Sequence, residues 1–339
     1  VSRPVRVAAP MAVRVRVPAT SANLGPGFDA CGLALGLYDE LTVAVTGTDL
    51  SIDVTGEDDG LRDETHLVVR ALRAGFAALG LAPAGLRLTC VNRIPHGRGL
   101  GSSAAAIVAG LIAAAALGEA RLSTRDVFAL ACAIEGHPDN VAAALYGGFT
   151  VAWYDGTGAA RVARTAPPAD LRPVAFVPGR RQLTSESRVA LPVDVPHVDA
   201  AANAGRAALL AMAMSGTLLS EPGDSEPGDS EPGNSPNRNG LPRGGRLDTA
   251  SWQEALVAAT DDRLHQPYRL PAMPETRDLI GRLRAAGLAA VLSGSGPTVL
   301  ALAVGEDQAA LARECGGSGF TVLDLAVDRD GARVEVVAG

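Results

Sequence analysis

An unbroken apolar run from 104 to 117, rich in alanine and opening directly out of a glycine- and serine-rich turn, limits what this chain can become. It is shorter than the roughly 18 apolar residues that span a bilayer, and no other stretch is longer, so it belongs inside a folded domain. Hydrophobic residues make up 47% of the sequence but aromatics only 4%, so the core must be assembled from Ala, Val and Leu through many small-residue helix contacts. The 339 residues suffice for one large or two ordinary domains, and two is the expectation. Residues 1–18 alternate Val with Arg and lack the apolar centre of a signal peptide, which predicts a cytoplasmic protein with no membrane partner.

The net charge of −7, from 30 basic and 37 acidic residues with no basic block, argues against nucleic-acid binding. Every basic residue is Arg, because the sequence contains no lysine. That excludes Schiff-base chemistry and the Lys of GxxxxGK phosphate loops, since a guanidinium neither deprotonates nor replaces a compact ammonium. Cys31, Cys90, Cys132 and Cys315 lack CxxC spacing and read as small buried hydrophobes in preference to a disulfide or zinc site.

Alternation predicts strands near 13–17, 41–46, 50–54, 86–91, 149–154, 174–177, 288–292, 298–304 and 322–327. Helical spacing predicts helices near 67–79, 103–117, 124–134, from 139 onward, and near 196–214, 251–260, 275–286 and 307–315, with Ser123 or Thr124 as a cap. The proline-rich stretch at 166–173 reads as a domain junction. Three tandem units, EPGDS, EPGDS and EPGNS, begin at 221, 226 and 231 and cannot bury enough apolar surface to offset ordering entropy. Residues 220–246 are therefore expected to be a disordered, dispensable insertion. The mixed order argues α+β for both halves.

The segment Pro95-His96-Gly97-Arg98-Gly99-Leu100-Gly101-Ser102-Ser103-Ala104-Ala105 follows a strand and opens a helix. Three glycines permit close backbone approach, and a helix start offers unpaired N–H groups and partial positive charge. It is neither a Walker loop nor a dinucleotide fingerprint, lacking both GK and GxGxxG. Taken alone, it reads equally as a phosphate cradle or as a glycine-rich turn with a serine cap.

The same segment resembles the PxxxGLGSSAA motif of the galactokinase, homoserine kinase, mevalonate kinase and phosphomevalonate kinase (GHMP) superfamily. Residues 18–29 (PATSANLGPGFD) and 292–298 (LSGSGPT) resemble its first and third motifs, in order. Within the superfamily, TSANLGPGFD, the EGHPDNV segment at 135–141 and DDRLHQPYR at 261–269 are similar to the homoserine kinase family.

This resemblance implies an ATP-binding domain over 1–167, with a left-handed β-α-β crossover, and a ferredoxin-like α+β domain over 168–339 carrying the insertion. It also implies ATP and Mg2+ as cofactors, a homodimer, and transfer of phosphate from ATP to the hydroxyl of L-homoserine, a step toward threonine. Residues 95–105 would hold the nucleotide, and Ser103 and Glu135 would hold the metal, oxygen donors of the kind a hard cation takes. Asn23, Asp29, His137, Asp139, Thr184, Arg188 and Arg269 would bind substrate, with both arginines supplying guanidinium forks for the carboxylate. Asn140 would hold the attacking hydroxyl without acting as a base, which suits a reaction that asks for positioning and electrostatics.

Two features depart from the family pattern. His66 stands in the purine-contacting stretch 65–68, where Asn is frequent, and Ala143 stands where Pro is common. Two other readings stay open at this level: a kinase of the same superfamily acting on a different small alcohol, and a nucleotide or amino-acid sensor on the same fold.

Overall fold

In the computed structural model, residues 11–47, 49–118, 122–182, 184–218 and 248–338 are described. The first half runs β1 (Met11–Ala22), β2 (Cys31–Thr46), β3 (Leu50–Gly56), α1 (Leu67–Ala78), β4 (Gly85–Asn92), α2 (Ser102–Leu117), α3 (Thr124–Glu135), α4 (Asp139–Tyr146), β5 (Phe149–Tyr154) and β6 (Ala160–Thr165). The second runs β7 (Leu171–Pro178), α5 (Thr184–Val189), α6 (His197–Ser215), α7 (Thr249–Ala259), α8 (Gln266–Arg269), a 3-10 turn (Leu270–Ala272), α9 (Pro274–Ala285), β8 (Ala289–Leu292), β9 (Val299–Val304), α10 (Gly305–Cys315), β10 (Phe320–Asp324) and β11 (Arg333–Ala338).

The first sheet has the order β11-β1-β2-β4-β3, with β5 on β2 and β6 on β5. Val13, Val15 and Val17 are fully buried while Arg14 and Arg16 face solvent, as period-2 alternation requires. The strand outruns the expected 13–17 because a register shift between Pro18 and Ala19 lets pairing with β2 resume beyond the proline. β3 and β4 form the one parallel pair among the described strands, joined through α1. The apolar α2 lies against α1, β1, α3 and α4. Its approach to α1 depends on missing side chains: a Cβ on Gly110 would lie 2.7 Å from the Val68 carbonyl oxygen, and one on Gly75 would lie 2.6 Å from Ala114 Cβ. The small-residue contacts foreseen from composition are thus the α1/α2 interface.

The second sheet, β10-β7-β9-β8, is antiparallel throughout. Numbered within this half, that is order 4-1-3-2, the ferredoxin-like arrangement. Leu279 and Leu283 of α9 and Ala309 and Ala312 of α10 cover it, in one cluster with Phe176 and Leu292.

The connection between the two sheets falls at 166–170, but β7 already contains Pro173, so the junction is shorter than 166–173. Pro173 is tolerated because its nitrogen and carbonyl face β10 at the end of that ladder, just past Val174 and Asp324, where the carbonyl still accepts from the Leu325 N–H, so only the last N–H bond of the ladder is lost and none to β9. β6, β11, α5 and α8 were not anticipated, and β11 joins β1, so a cut at residue 167 does not separate the sheets by sequence. The repeats at 221–235 and the insertion expected over 220–246 lie outside the described residues. Among the described residues no helix is long and apolar enough to cross a membrane, and all four cysteines are unpaired, three of them buried.

Candidate active site

Three loops meet, one between β1 and β2, one between β4 and α2, and one between β8 and β9. The first, between β1 and β2, turns through three non-glycine residues with left-handed backbone: Asn23 (φ 68°), Leu24 (φ 51°) and Asp29 (φ 53°). Each such residue costs about 1–2 kcal/mol, so the surroundings must hold the turn. Asn23 does so from inside, its Nδ2 donating to the Gly294 carbonyl (2.8 Å) and its Oδ1 accepting from the Asp29 N–H (2.9 Å). Asn203 of α6 donates to the Pro26 carbonyl from the other side (2.8 Å).

The second loop carries Gly97, Gly99 and Gly101 at φ 63°, 77° and 72°, all in the region that favours glycine. A Cβ on Gly99 would sit 2.2 Å from the Ser293 carbonyl oxygen, and one on Gly101 would sit 1.9 Å from Thr20 Oγ1. The close approach that these glycines permit is therefore first to the other two loops. The Thr20 N–H donates to the Leu100 carbonyl (3.0 Å) and the Gly294 N–H to the Ala22 carbonyl (3.0 Å), completing the knot. α2 begins from this loop at Ser102, with Gly101 as N-cap and no side-chain cap, which leaves its first N–H groups open to an anion. Ser103 Oγ donates to Glu135 Oε1 (2.6 Å) at the end of α3. Burial pushes the Glu135 carboxyl above its ordinary range, and the Ser103 hydrogen bond pulls it partly back.

The third loop, 293–298 between β8 and β9, has neighbours of opposite charge. Arg188 of α5 donates from Nη2 to Asp29 Oδ1 (2.8 Å), both side chains being a little over one third exposed. Arg269 is 2% exposed and is held by the carbonyls of Ser187 (3.3 Å) and Gly294 (3.4 Å). Asp139 opens α4 and is 3% exposed; burial pushes its carboxyl up to about 6 despite a hydrogen bond from the Asn140 N–H. Asn140 Oδ1 accepts from Thr20 Oγ1 (2.7 Å), which leaves its NH2 as the end able to reach a ligand.

These groups line one cleft. Asn23, Asp29, His137, Asp139, Asn140, Arg188, Arg269, Ser103 and Glu135 all face it, with Gly97, Gly99, Gly101 and Ser102 along one wall. A second cavity shares Gly97, Ser102 and Ser103 with the cleft and runs toward His66, Leu67 and Val68, past Asp39, Asp58 and Asp59. His96 and Ala105 line that second cavity, whereas Pro95, Arg98, Leu100 and Ala104 line neither. Leu100 and Ala104 are wholly buried in the core. Arg98 turns away to Glu57 (3.2 Å) and to the carbonyls of Pro178 and Gly179, in a charge network with Arg181 and Asp59. Those four contribute backbone to the loop and no side chain to either cavity. Thr184 starts α5, and its side chain lies outside the described residues.

Sequence reasoning missed Thr20 as the partner of Asn140, Phe28 as the ring under Arg188 and Arg269 (5.9 and 5.3 Å), and the buried Asp262 and His265. Their signal was their place inside TSANLGPGFD and DDRLHQPYR. Among the described residues no three His, Cys, Asp or Glu side chains cluster as a metal cage. The Ser103–Glu135 pair still suits Mg2+, which needs only one or two protein oxygens beside substrate phosphates, and a cation there would offset the burial of Glu135.

Residues 66–148 match the GHMP kinases N terminal domain and residues 245–320 match the GHMP kinases C terminal domain. A homoserine kinase of Streptomyces coelicolor is 54% identical over 297 residues, covering 86% of this chain and 84% of that protein. One from Streptomyces avermitilis is 53% identical over 297 residues, covering 86% of each. The crystal structure of homoserine kinase from Cytophaga hutchinsonii shares the fold, with a TM-score of 0.77 over 99% of both chains at 24% identity.

Proposed function

The chain belongs to the homoserine kinase family of the GHMP kinases, and from that membership we infer how its cleft phosphorylates the side-chain hydroxyl of L-homoserine with ATP. One observation carries the assignment of residues: groups complementary to an amino acid and an alcohol share a cleft with an uncapped helix start, and that cleft opens into a second cavity at Gly97, Ser102 and Ser103.

The second cavity takes the adenosine part of ATP, beside His66, Leu67 and Val68, and its phosphates lie along 97–103. Homoserine enters as a zwitterion. Its carboxylate takes Arg188 and Arg269, and its ammonium takes Asp29 and Asp139. The Asp29–Arg188 pair stands in for substrate: each partner satisfies the charge that the zwitterion will later satisfy. Opening it costs little, because half-exposed ion pairs contribute only about 0–1 kcal/mol. An ammonium beside Asp139 also counters the burial that raises its pKa, adding to the pull of Arg188.

The hydroxyl oxygen is aimed by the Asn140 NH2, whose carbonyl end Thr20 fixes. An amide cannot accept the hydroxyl proton, so Asn140 orients and does not act as a base. A bond forms from the substrate oxygen to the γ-phosphorus as the bond to the β-phosphate oxygen breaks, the hydroxyl proton passes to an oxygen of the transferring phosphoryl group, and α2 N–H groups receive charge on that group. Mg2+, held by Ser103 and Glu135, supplies neutralising charge on the phosphates when bound. A two-domain division near 167, a homodimer and a cytoplasmic location accompany this reading as family expectations.

The test is ADP release by the purified protein with Mg2+ and a panel of homoserine, mevalonate, galactose and shikimate. Turnover with homoserine alone is expected. Turnover with another alcohol would move the substrate assignment, and none at all would favour a sensor.

A further inference from the structure

His265 is fully buried and lies outside the residues assigned to substrate above. Its Nε2 is 2.9 Å from the Gly25 carbonyl oxygen and 3.4 Å from Asp262 Oδ2. Both neighbours only accept, so Nε2 carries the ring proton. Its Nδ1 is 3.3 Å from Arg269 Nη1, which only donates, so Nδ1 must present a lone pair. The partners therefore fix a single neutral tautomer without reference to any hydrogen position. The ring stacks on Phe28 (centroids 5.3 Å, planes 24° apart), and the same Phe28 lies under the Arg269 guanidinium. Asp262 holds the backbone in turn, accepting from the N–H groups of Leu264, His265 and Gln266.

We propose that His265 is a positioning residue for substrate recognition: it bridges the Gly25 carbonyl of the loop between β1 and β2 to Arg269 and so sets the guanidinium for the substrate carboxylate. The inference rests on the assignment of Arg269 to that carboxylate. Among the described contacts Arg269 uses Nε and Nη1 on Ser187, Gly294 and His265, which leaves Nη2 as the nitrogen without a protein partner. A second donor in place of the Nδ1 lone pair would turn the attraction into repulsion between two cations. Burial in fact pushes the imidazole below its ordinary pKa, with Arg269 acting in the same direction and Asp262 opposing.

Steady-state kinetics on His265→Leu, His265→Asn, Arg269→Ala and the Arg269→Ala/His265→Leu double variant test the proposal. His265→Leu removes an acceptor from a charged donor and should raise the homoserine KM about tenfold, with the ATP KM and kcat within about twofold. His265→Asn, which keeps an acceptor facing Arg269, should recover most of that loss. In the Arg269→Ala background, His265→Leu should add less than about twofold, because the group it positions is gone. A purely structural role would lower the folded fraction and kcat, would show no rescue by Asn, and would add fully in the double variant. Any of these overturns the proposal, and if the Leu variant does not fold, Asn against Gln provides the same comparison. If Arg269→Ala leaves the homoserine KM unchanged, the substrate assignment itself fails. If Arg269→Ala raises it and His265→Leu does not, only the role of His265 fails.

Discussion

Alanine placed in turn at Gly97, Gly99 and Gly101 should produce three different losses of stability, although the three glycines share nearly the same backbone. All have φ between 63° and 77°, so each substitution carries the left-handed cost of about 1–2 kcal/mol. At Gly97 that is the whole cost, because the nearest atom to a new Cβ, Arg181 Cβ, is 3.5 Å away. At Gly101 the Cβ would lie 1.9 Å from Thr20 Oγ1, so the hydroxyl must rotate off Asn140. Losing that hydrogen bond adds about 0.5–1.5 kcal/mol, for a total near 2–3 kcal/mol. At Gly99 the obstacle is the Ser293 carbonyl at 2.2 Å, a backbone atom with no alternative rotamer. The third loop must move and the Ser293 Oγ to Gly99 carbonyl bond is lost, so about 3–5 kcal/mol is expected. Urea midpoints at constant m-value read the series directly. In a Thr20→Ala background the cost of Gly101→Ala should fall by about 1 kcal/mol, since the bond it breaks is already absent. Equal losses at the three positions, or the largest at Gly97, would refute the claim that these glycines are needed for contact with neighbouring loops.

Two further outcomes follow from the site. Asp139→Asn should stabilise the protein at pH 8 by on the order of 2–3 kcal/mol while depressing activity, at about 1.4 kcal/mol per pKa unit for a carboxyl held at about 6. The native pKa lies above the unfolded one, so the penalty is absent below about pH 4 and develops as pH rises through 6. Urea melts at pH 4 and pH 8 should show the gap opening, and an equal gap at both would contradict it. Arg188→Ala should raise the homoserine KM about 10–100-fold while changing stability by less than about 1 kcal/mol, because its ion pair is half-exposed. An unchanged KM would remove Arg188 from the site.

Helices with a long apolar stripe, and strands whose alternating face is buried, were legible in the sequence because burial sets their period. β11 shows why others were not: its Val334 and Val336 alternate correctly but lie 44% and 67% exposed at a sheet edge, so the pattern lacked a core to confirm it. α8 is four residues long and is defined by Asp262 gathering backbone N–H groups, a tertiary cause that leaves no periodicity. At the site, motifs gave residue types and order, and the expected substrate-binding side chains face one cleft, save Thr184, whose side chain lies outside the described residues. What motifs could not give was pairing. The Asp29–Arg188 contact spans 159 positions, and Arg98 sits in the middle of the glycine loop yet is claimed by Glu57. Both depend on which chain segments the fold brings together.

The return of β11 to β1 has a bearing on how the molecule is made. Ladder partners run from Met11 opposite Ala338 to Arg16 opposite Arg333, so β1 keeps one margin unclaimed until a strand lying 321 positions downstream, from Arg14 to Glu335, has been synthesised. During translation that bare margin is a template for mispairing with a neighbouring nascent chain, and the ribosome must deliver the six-residue β11 before it is capped. Removing β11 should therefore harm solubility on expression well before it touches the catalytic cleft.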